Sequence, residues 1–388
     1  LNYGADKTGS SDATAAINAA ILAARSGGVV YFPAGTYSLS AVSVTYQNIN
    51  IVGDGPFATT LSPSSTTGNF ITFASGHGSI SQLAILTTVK RTSGDTIYID
   101  AGGVTISNIQ IYASGSGSHY NGIHCDSNNA PGFSILNFLI GSSSNVGIQI
   151  GDASSTSLAV SGTIINGQIG SCGNGILIYN CGGLNASCIN IISSTSHGVA
   201  IYPSSGQTPF ALYFSTVLAD TCGSDGWFIS ANGGAVGDVN LTGCWGSSNG
   251  GFGLNIAGSS SSSVNGILIN GGNYIANKQG GIILENCSNV SLSSVQVYNN
   301  SQNGSGQFAG ISVSNGVSDF QIVNSVSGNG GHTQQVGYPA YQSYGIIVAS
   351  GASNNYIIQG NRCPGNLSSG VVDGGSGTSK VVQNNLSS

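Results

Sequence analysis

The sequence predicts an all-β chain folded as a parallel β-helix, a solenoid with a capping α-helix at its N-terminal end. Three observations carry this expectation. The first is a phrase of one glycine followed by alternating apolar residues, repeated ten times between residues 122 and 370. It reads GIHCD at Gly122, GIQIG at Gly147, GILIY at Gly175, GVAIY at Gly198 and GWFIS at Gly226. It continues as GLNIA at Gly253, GIILE at Gly281, GISVS at Gly310, GIIVA at Gly345 and GVVDG at Gly370. The second is the spacing of these phrases, 23 to 35 residues, the period of a stack in which each copy buries its apolar face only against its neighbours. The third is the two-residue alternation inside the phrase, which belongs to a strand.

The elements follow in chain order. SSDATAAINAAILAARSGG, residues 10–28, predicts a helix within residues 11–26 and places Ile17, Ile21 and Leu22 on one helical face. Ser11 or Asp12 serves as N-cap and Gly27-Gly28 as the stop. A helix here would cover the apolar interior and strand edges that a first rung otherwise exposes. VVYFPAGTY then reads as a strand ending in a turn at Pro33-Ala34-Gly35. Residues 1–40 therefore form a cap and first strand, and residues 41–388 the solenoid of the same domain. Between the glycine-led strands runs a second strand family, seen at 104–112, 133–141, 184–192, 290–298 and 354–361. Segments 113–120 and 329–344 are longer loops, where a rigid scaffold tends to carry function. Ser259 to Ser263 reads as a solvated turn.

Composition narrows the function classes. Sixty-one glycines suit a chain that turns a corner every few residues. Seven Lys and Arg against thirteen Asp and Glu leave a net charge of −6, which argues against nucleic acid and anionic membrane surfaces. No apolar run reaches the roughly 18 residues of a membrane span. The chain contains no Met and begins at Leu1, so a processed or excised segment is expected. Most of the eight cysteines are read as small buried residues, with Cys181–Cys188 the pair to check. No CxxC occurs, so zinc has no support.

The opening YGADKTGSSDATAAINAAI…GGVVYFPAGTY resembles that of the pectate-lyase-like superfamily, which includes rhamnogalacturonase/epimerase-type domains and bacteriophage tailspike depolymerases. The resemblance implies a right-handed β-helix and a carbohydrate-related activity, with hydrolases, lyases, epimerases and inactive binding proteins all represented. It also implies an extracellular or virion-borne homotrimer, for which outward Leu177, Ile283 and Ile347 would supply apolar contacts. Gly76-His77-Gly78 matches a polygalacturonase fragment by chance, since no NTD or adjacent Asp pair precedes it. The DPHE motif of alginate epimerase-like helices is absent, as is a pectate-lyase-like Arg/Lys set. Lys90-Arg91, the one basic doublet, reads as solvated.

Phasing the repeats puts residues one and three after each glycine inward, and residues two and four outward. Tyr179 and Tyr202 then stack on adjacent outer rungs with Phe228 near, and His197 precedes its glycine as Asp225 precedes the next. Such an aromatic strip suits the C–H face of a sugar; it would equally stiffen the sheet or meet a partner subunit. Asp225 and Glu285 are the expected catalytic carboxylates, with Asp220 as the substitute, because glycoside hydrolysis needs two acids about 5–9.5 Å apart. Asp126 and Asp152, with His124 beside them, form another possible pair. Asp6, Asp12 and Asp54 read as turn or cap residues.

The leading expectation is a glycoside hydrolase that cleaves a microbial polysaccharide without a cofactor. Its alternatives are a lyase or epimerase using His, Tyr or Ca²⁺, and a non-catalytic glycan-binding adhesin.

Overall fold

The computed structural model describes residues 3–126, 129–158, 160–259, 261–329 and 341–387. Most of the expected loop at 329–344 thus lies outside the described residues. The chain folds as two compact units, Leu1–Ile189 and Asn190–Ser388, and each is a parallel β-solenoid. In the first unit the short strands are Val42–Val44, Ile71–Phe73, Asp95–Ile99, His119–Cys125, Ser143–Ile150 and Asn174–Ile178. Each pairs in parallel with the next. The second unit has Val199–Ile201, Trp227–Ser230, Leu254–Ala257, Ile282–Glu285, Ile311–Val313, Tyr344–Gly351 and Ser369–Gly375, paired in the same way. Among the described residues, three of these thirteen strands precede the ten phrases read from sequence.

Like stacks on like inside each unit. Ile71, Ile97, Ile123, Ile148 and Ile176 occupy one register column of the first unit and are essentially inaccessible to water. The longer strands Thr105–Ala113, Pro131–Gly141 and Ser161–Gly170 bend midway at Asn108, Asn137 and Asn166, all left-handed with φ of 51° to 59°. Asparagine tolerates that conformation better than most side chains, and Asn166 donates its amide to Asn137 at 2.7 Å.

The second unit carries a buried amide ladder at one corner. Asn249 accepts the Cys222 N–H at 2.9 Å, and Asn277 accepts both the backbone and side-chain N–H of Asn249 at 3.1 and 3.0 Å. Asn300 does the same for Asn277, and Gln342 for Asn300. Their own amides donate to the carbonyls of Ala219, Gly246 and Tyr274. A corner leaves backbone groups outside the strand ladders, and burial demands partners for them.

The helix is Thr14–Ala23, with Ile17 and Ile21 buried against the strands Gly28–Phe32 and Val42–Val44. Leu22, expected on the same face, is 49% exposed, because it lies one position round from Ile21. Ala13 is the N-cap and bonds through no side chain; Asp12 instead accepts the Thr14 N–H at 2.8 Å, and the bonds from Thr14 hold its carboxyl below the usual range. Asp6 and Asp54 accept turn amides as expected. All eight cysteines are free, Cys181 buried and Cys188 exposed. No described helix is long and apolar enough to cross a membrane.

Two further expectations are corrected. Arg91 is buried, with its guanidinium donating to the carbonyls of Ser65 and Gly68, so only Lys90 is solvated. Leu177 is buried, which removes it from any contact with a partner chain.

Asn277→Ala should lower the stability of the second unit by about 1–3 kcal/mol, since it leaves the Asn249 N–H groups buried without acceptors. Asn265→Ala, on an exposed position, should change it by less than about 0.5 kcal/mol. Urea unfolding followed by circular dichroism compares the two, and equal midpoints would argue against the ladder.

Candidate active site

The first unit gathers a cluster of ionisable groups on the outer side of its short-strand sheet. Tyr98, His124 and Gln149 stand opposite one another on three consecutive strands. Asp95 sits three residues before Tyr98, and Asp126 two residues after His124. Gly151 adopts φ +75° at the end of its strand, where a Cβ would lie 2.8 Å from the Asn180 backbone. That left-handed turn, which glycine takes without penalty, brings Asp152 to His124.

His124 lies between two carboxylates. Its Nδ1 is 3.1 Å from Asp95 Oδ2 and its Nε2 is 3.3 Å from Asp152 Oδ1. Burial alone would lower its pKa, but Asp152 and Asp95 outweigh that and raise it to about 10. The ring is therefore an imidazolium at neutral pH, donating from both nitrogens. The Gln149 amide, 3.2 Å from Nε2, donates instead to the Gly151 carbonyl at 3.0 Å. Asn145 donates to Asn121, and Asn121 to Asp95 Oδ1, at 2.9 and 2.8 Å, so Asp95 is oriented from behind.

Tyr98 donates its hydroxyl to Asp126 Oδ2 at 2.6 Å. Burial and this bond push its pKa up, leaving a neutral phenol. Asp152 also meets the carboxyl group of Asp126, and the bond from His124 is the main cause that holds Asp152 below the usual range. With a side chain 31% exposed, Asp152 is open to solvent while Asp95, His124 and Asp126 are buried. Tyr179 is half-buried, close enough to Asp152 and Tyr120 for their charges to bear on its hydroxyl. The arrangement supplies a carboxyl pair, a fixed cation and a phenol on one outer face of the sheet.

The second unit places the other expected residues. His197 and Phe228 stack with centroids 4.8 Å apart, and Tyr202 lies 5.2 Å from Phe228. Asp225 accepts the Phe252 N–H at 2.7 Å and the Asn255 amide at 3.2 Å, and its own N–H donates to His197 Nδ1 at 3.3 Å. Burial raises the Asp225 carboxyl and lowers the His197 imidazole, so the pair is weakly ionic.

Asp225 and Glu285 are not brought together. Glu285 pairs across Ala257 with Ser230, five residues along from Asp225. Two strand spacings and five residues separate their Cα atoms by about 19 Å, too far for an acid–base pair. Glu285 instead takes a bond from Ser314 at 3.4 Å. Asp220 ends the strand Leu212–Asp220 of the other strand family, opposite Ser247, and burial raises its carboxyl. No cluster of three or more His, Cys, Asp or Glu able to hold a metal occurs among the described residues.

Asp95 and Tyr98 were not singled out from sequence. SGDTIYID continues the repeat one rung earlier, with two residues, Asp95 and Thr96, between Gly94 and Ile97 where Gly122 leads directly into Ile123; allowing that shift aligns Tyr98 with His124.

A family model described as rhamnogalacturonase A/epimerase, pectate lyase-like, matches residues 1–224. A comparison with curated proteins finds no match. Among solved structures, the chain is similar to the AlgE6 A-module, a mannuronan C-5 epimerase of Azotobacter vinelandii, at 15% identity and TM-score 0.61, covering 100% of this chain and 98% of that one. It is similar to tailspike protein 3 of bacteriophage CBA120 at 14% identity and TM-score 0.72, over 99% and 60% of the two chains. It is also similar to the catalytic unit of a GH87 alpha-1,3-glucanase from Streptomyces thermodiastaticus strain HF3-3, at 16% identity and TM-score 0.54, over 99% and 67%. At these identities the likeness is one of fold.

A raised pKa ties His124 to stability. Its contribution should be complete below about pH 6.5, the unperturbed value, and lost as pH rises through about 10. Urea midpoints should therefore fall more steeply between about pH 8 and 10.5 for the parent than for His124→Asn. Parallel slopes would contradict the double pairing.

Proposed function

This chain belongs to the rhamnogalacturonase A/epimerase, pectate lyase-like family, and we propose that it cleaves a microbial polysaccharide by hydrolysis on the outer face of its first unit's short-strand sheet. The observation that carries the reading is the carboxyl pair Asp126 and Asp152, fixed by Tyr98 and His124. Hydrolysis needs a proton for the glycosidic oxygen and a carboxylate to receive one from water. Asp126 and Asp152 touch in this chain, nearer than the about 5–9.5 Å that such pairs span, so the substrate has to part them. One carboxyl then gives a proton to the glycosidic oxygen as the C1–O bond breaks. Water then adds to C1 and returns a proton to the other carboxylate. The pair ends as it began, and no cofactor enters.

Charge supports a neutral or mixed glycan. Asp95 and Asp152 face His124, Asp126 meets Asp152, and Arg91 is near enough for Asp95 to act on its charge. With the general acid protonated, the two remaining carboxylates balance the two cations, which leaves no net positive charge to draw in a uronate. The rival reading, proton abstraction from a uronate by a lyase or epimerase, draws on the Tyr98 hydroxyl beside the His124 ring, 5.1 Å between centroids. It needs a cation free to meet the uronate carboxylate. Arg91 is spent on two carbonyls and His124 on two carboxylates, which favours hydrolysis. An extracellular or virion-borne location and trimeric assembly, with Ile283 and Ile347 as its remaining apolar contacts, belong to the same proposal.

Asp152→Asn and Asp126→Asn should each lower the release of reducing ends from a polysaccharide panel by about 10²–10⁴-fold. Parent-like rates in both, with loss of activity in Asp225→Asn instead, would move the chemistry to the second unit.

A further inference from the structure

We propose that the second unit holds a sugar-binding site of its own, which grips a neutral pyranose ring without cleaving it. Its platform is the ring cluster His197, Phe228 and Tyr202. His197 lies flat on Phe228, 11° between planes, and Tyr202 leans on it at 59°. Phe228 and Tyr202 each keep part of their surface at the protein exterior. Rings held this way have lost their mobility before a ligand arrives, so a C–H face can settle on them at little further entropic cost.

Beside the platform, Asp225 supplies the polar wall. The Phe252 N–H and the Asn255 amide fix its two oxygens, and Gly251 leaves the room this needs, since a Cβ there would come within 2.1 Å of Asp225 Oδ1. The Asp225 side chain is only 9% exposed and its Oδ2 lies 3.7 Å from His197 Nδ1, so a sugar hydroxyl would meet it at one exposed edge, where a carboxylate oxygen can accept a further bond. The next positions of the Phe228 column are Asn255, Ile283, Ser312 and Ile347, half-buried and uncharged. They offer a strip of amide, hydroxyl and methyl groups to a chain laid across the strands.

The same residues explain why the site binds without cutting. Cleavage of a glycosidic bond needs two groups that exchange protons. Among the described residues neither expected partner carboxylate is placed to pair with Asp225: Glu285 lies about 19 Å along and across the sheet, and Asp220 ends a strand of the other family. His197 receives the Asp225 N–H on Nδ1, and burial keeps its ring neutral. The absence of a cation in the ring cluster selects a neutral sugar over a uronate.

The test uses the full chain carrying Asp152→Asn, so that binding is read without turnover and independently of the hydrolytic reading. Maltohexaose, cellohexaose, a manno-hexaose and a galacto-hexaose are titrated by calorimetry, with hexagalacturonate as the charged control. At least one neutral hexaose should bind, and Phe228→Ala or Tyr202→Ala should weaken it about tenfold. A diazirine-bearing form of that hexaose should label peptides within residues 197–255 of the unmodified rings, which keeps the test valid if a ring variant misfolds. Labelling confined to residues 95–180, preference for hexagalacturonate, or no binding by any neutral hexaose would overturn the proposal.

Discussion

Everything in this molecule depends on the one-to-one parallel register between successive rungs. A strand in a solenoid has no partner except the equivalent strand before and after it, so its backbone groups are satisfied only when equal positions stack. That constraint turns sequence columns into physical columns. The isoleucine column of the first unit fills its interior because Ile71, Ile97, Ile123, Ile148 and Ile176 are register partners. The amide ladder of the second unit follows from the same rule, with Asn249, Asn277 and Asn300 each closing the corner of the rung before. A one-residue slip would send every inward side chain outward.

The candidate active site is a product of that stacking. Asp95, His124 and Asp152 lie far apart in the chain and come within hydrogen-bonding distance because their rungs are adjacent. Buried charges are tolerated only when paired and bonded, and here each charge fixes the next. Asn145 orients Asn121, Asn121 orients Asp95, and Asp95 with Asp152 fixes the protonation of His124. The outcome is a rigid wall with one open carboxylate. Such a wall suits chemistry whose cost lies in placing groups correctly beforehand.

The fold was legible because its signal is repeated. Alternation, glycine spacing and the N-terminal helix pattern all survive small errors in phase, and the rungs missed near the N-terminus lack only the leading glycine. The site was legible in part. His124 and Asp126 stood in the outward columns, Asp152 was one residue past its own column, and the structure brings the three together. Asp225 and Glu285 failed as a pair because a column records which rung a residue occupies and hides its distance along the strand. Arg91 failed because a basic doublet carries no sign of the carbonyls of Ser65 and Gly68 that receive its guanidinium. Outward also proved different from exposed: His124, Gln149 and Leu177 all stand in the second position after their glycine and are buried.

The central claim is hydrolysis rather than proton abstraction, and isotope tracing of the products tests it most directly. The protein is incubated with a cleavable polysaccharide in oxygen-18 water, and separately in deuterium oxide, and the products are read by mass spectrometry. The account predicts one oxygen-18 atom at each new reducing end and no carbon-bound deuterium. Unsaturated ends without oxygen-18, or deuterium on the sugar ring with the chain length unchanged, would contradict it.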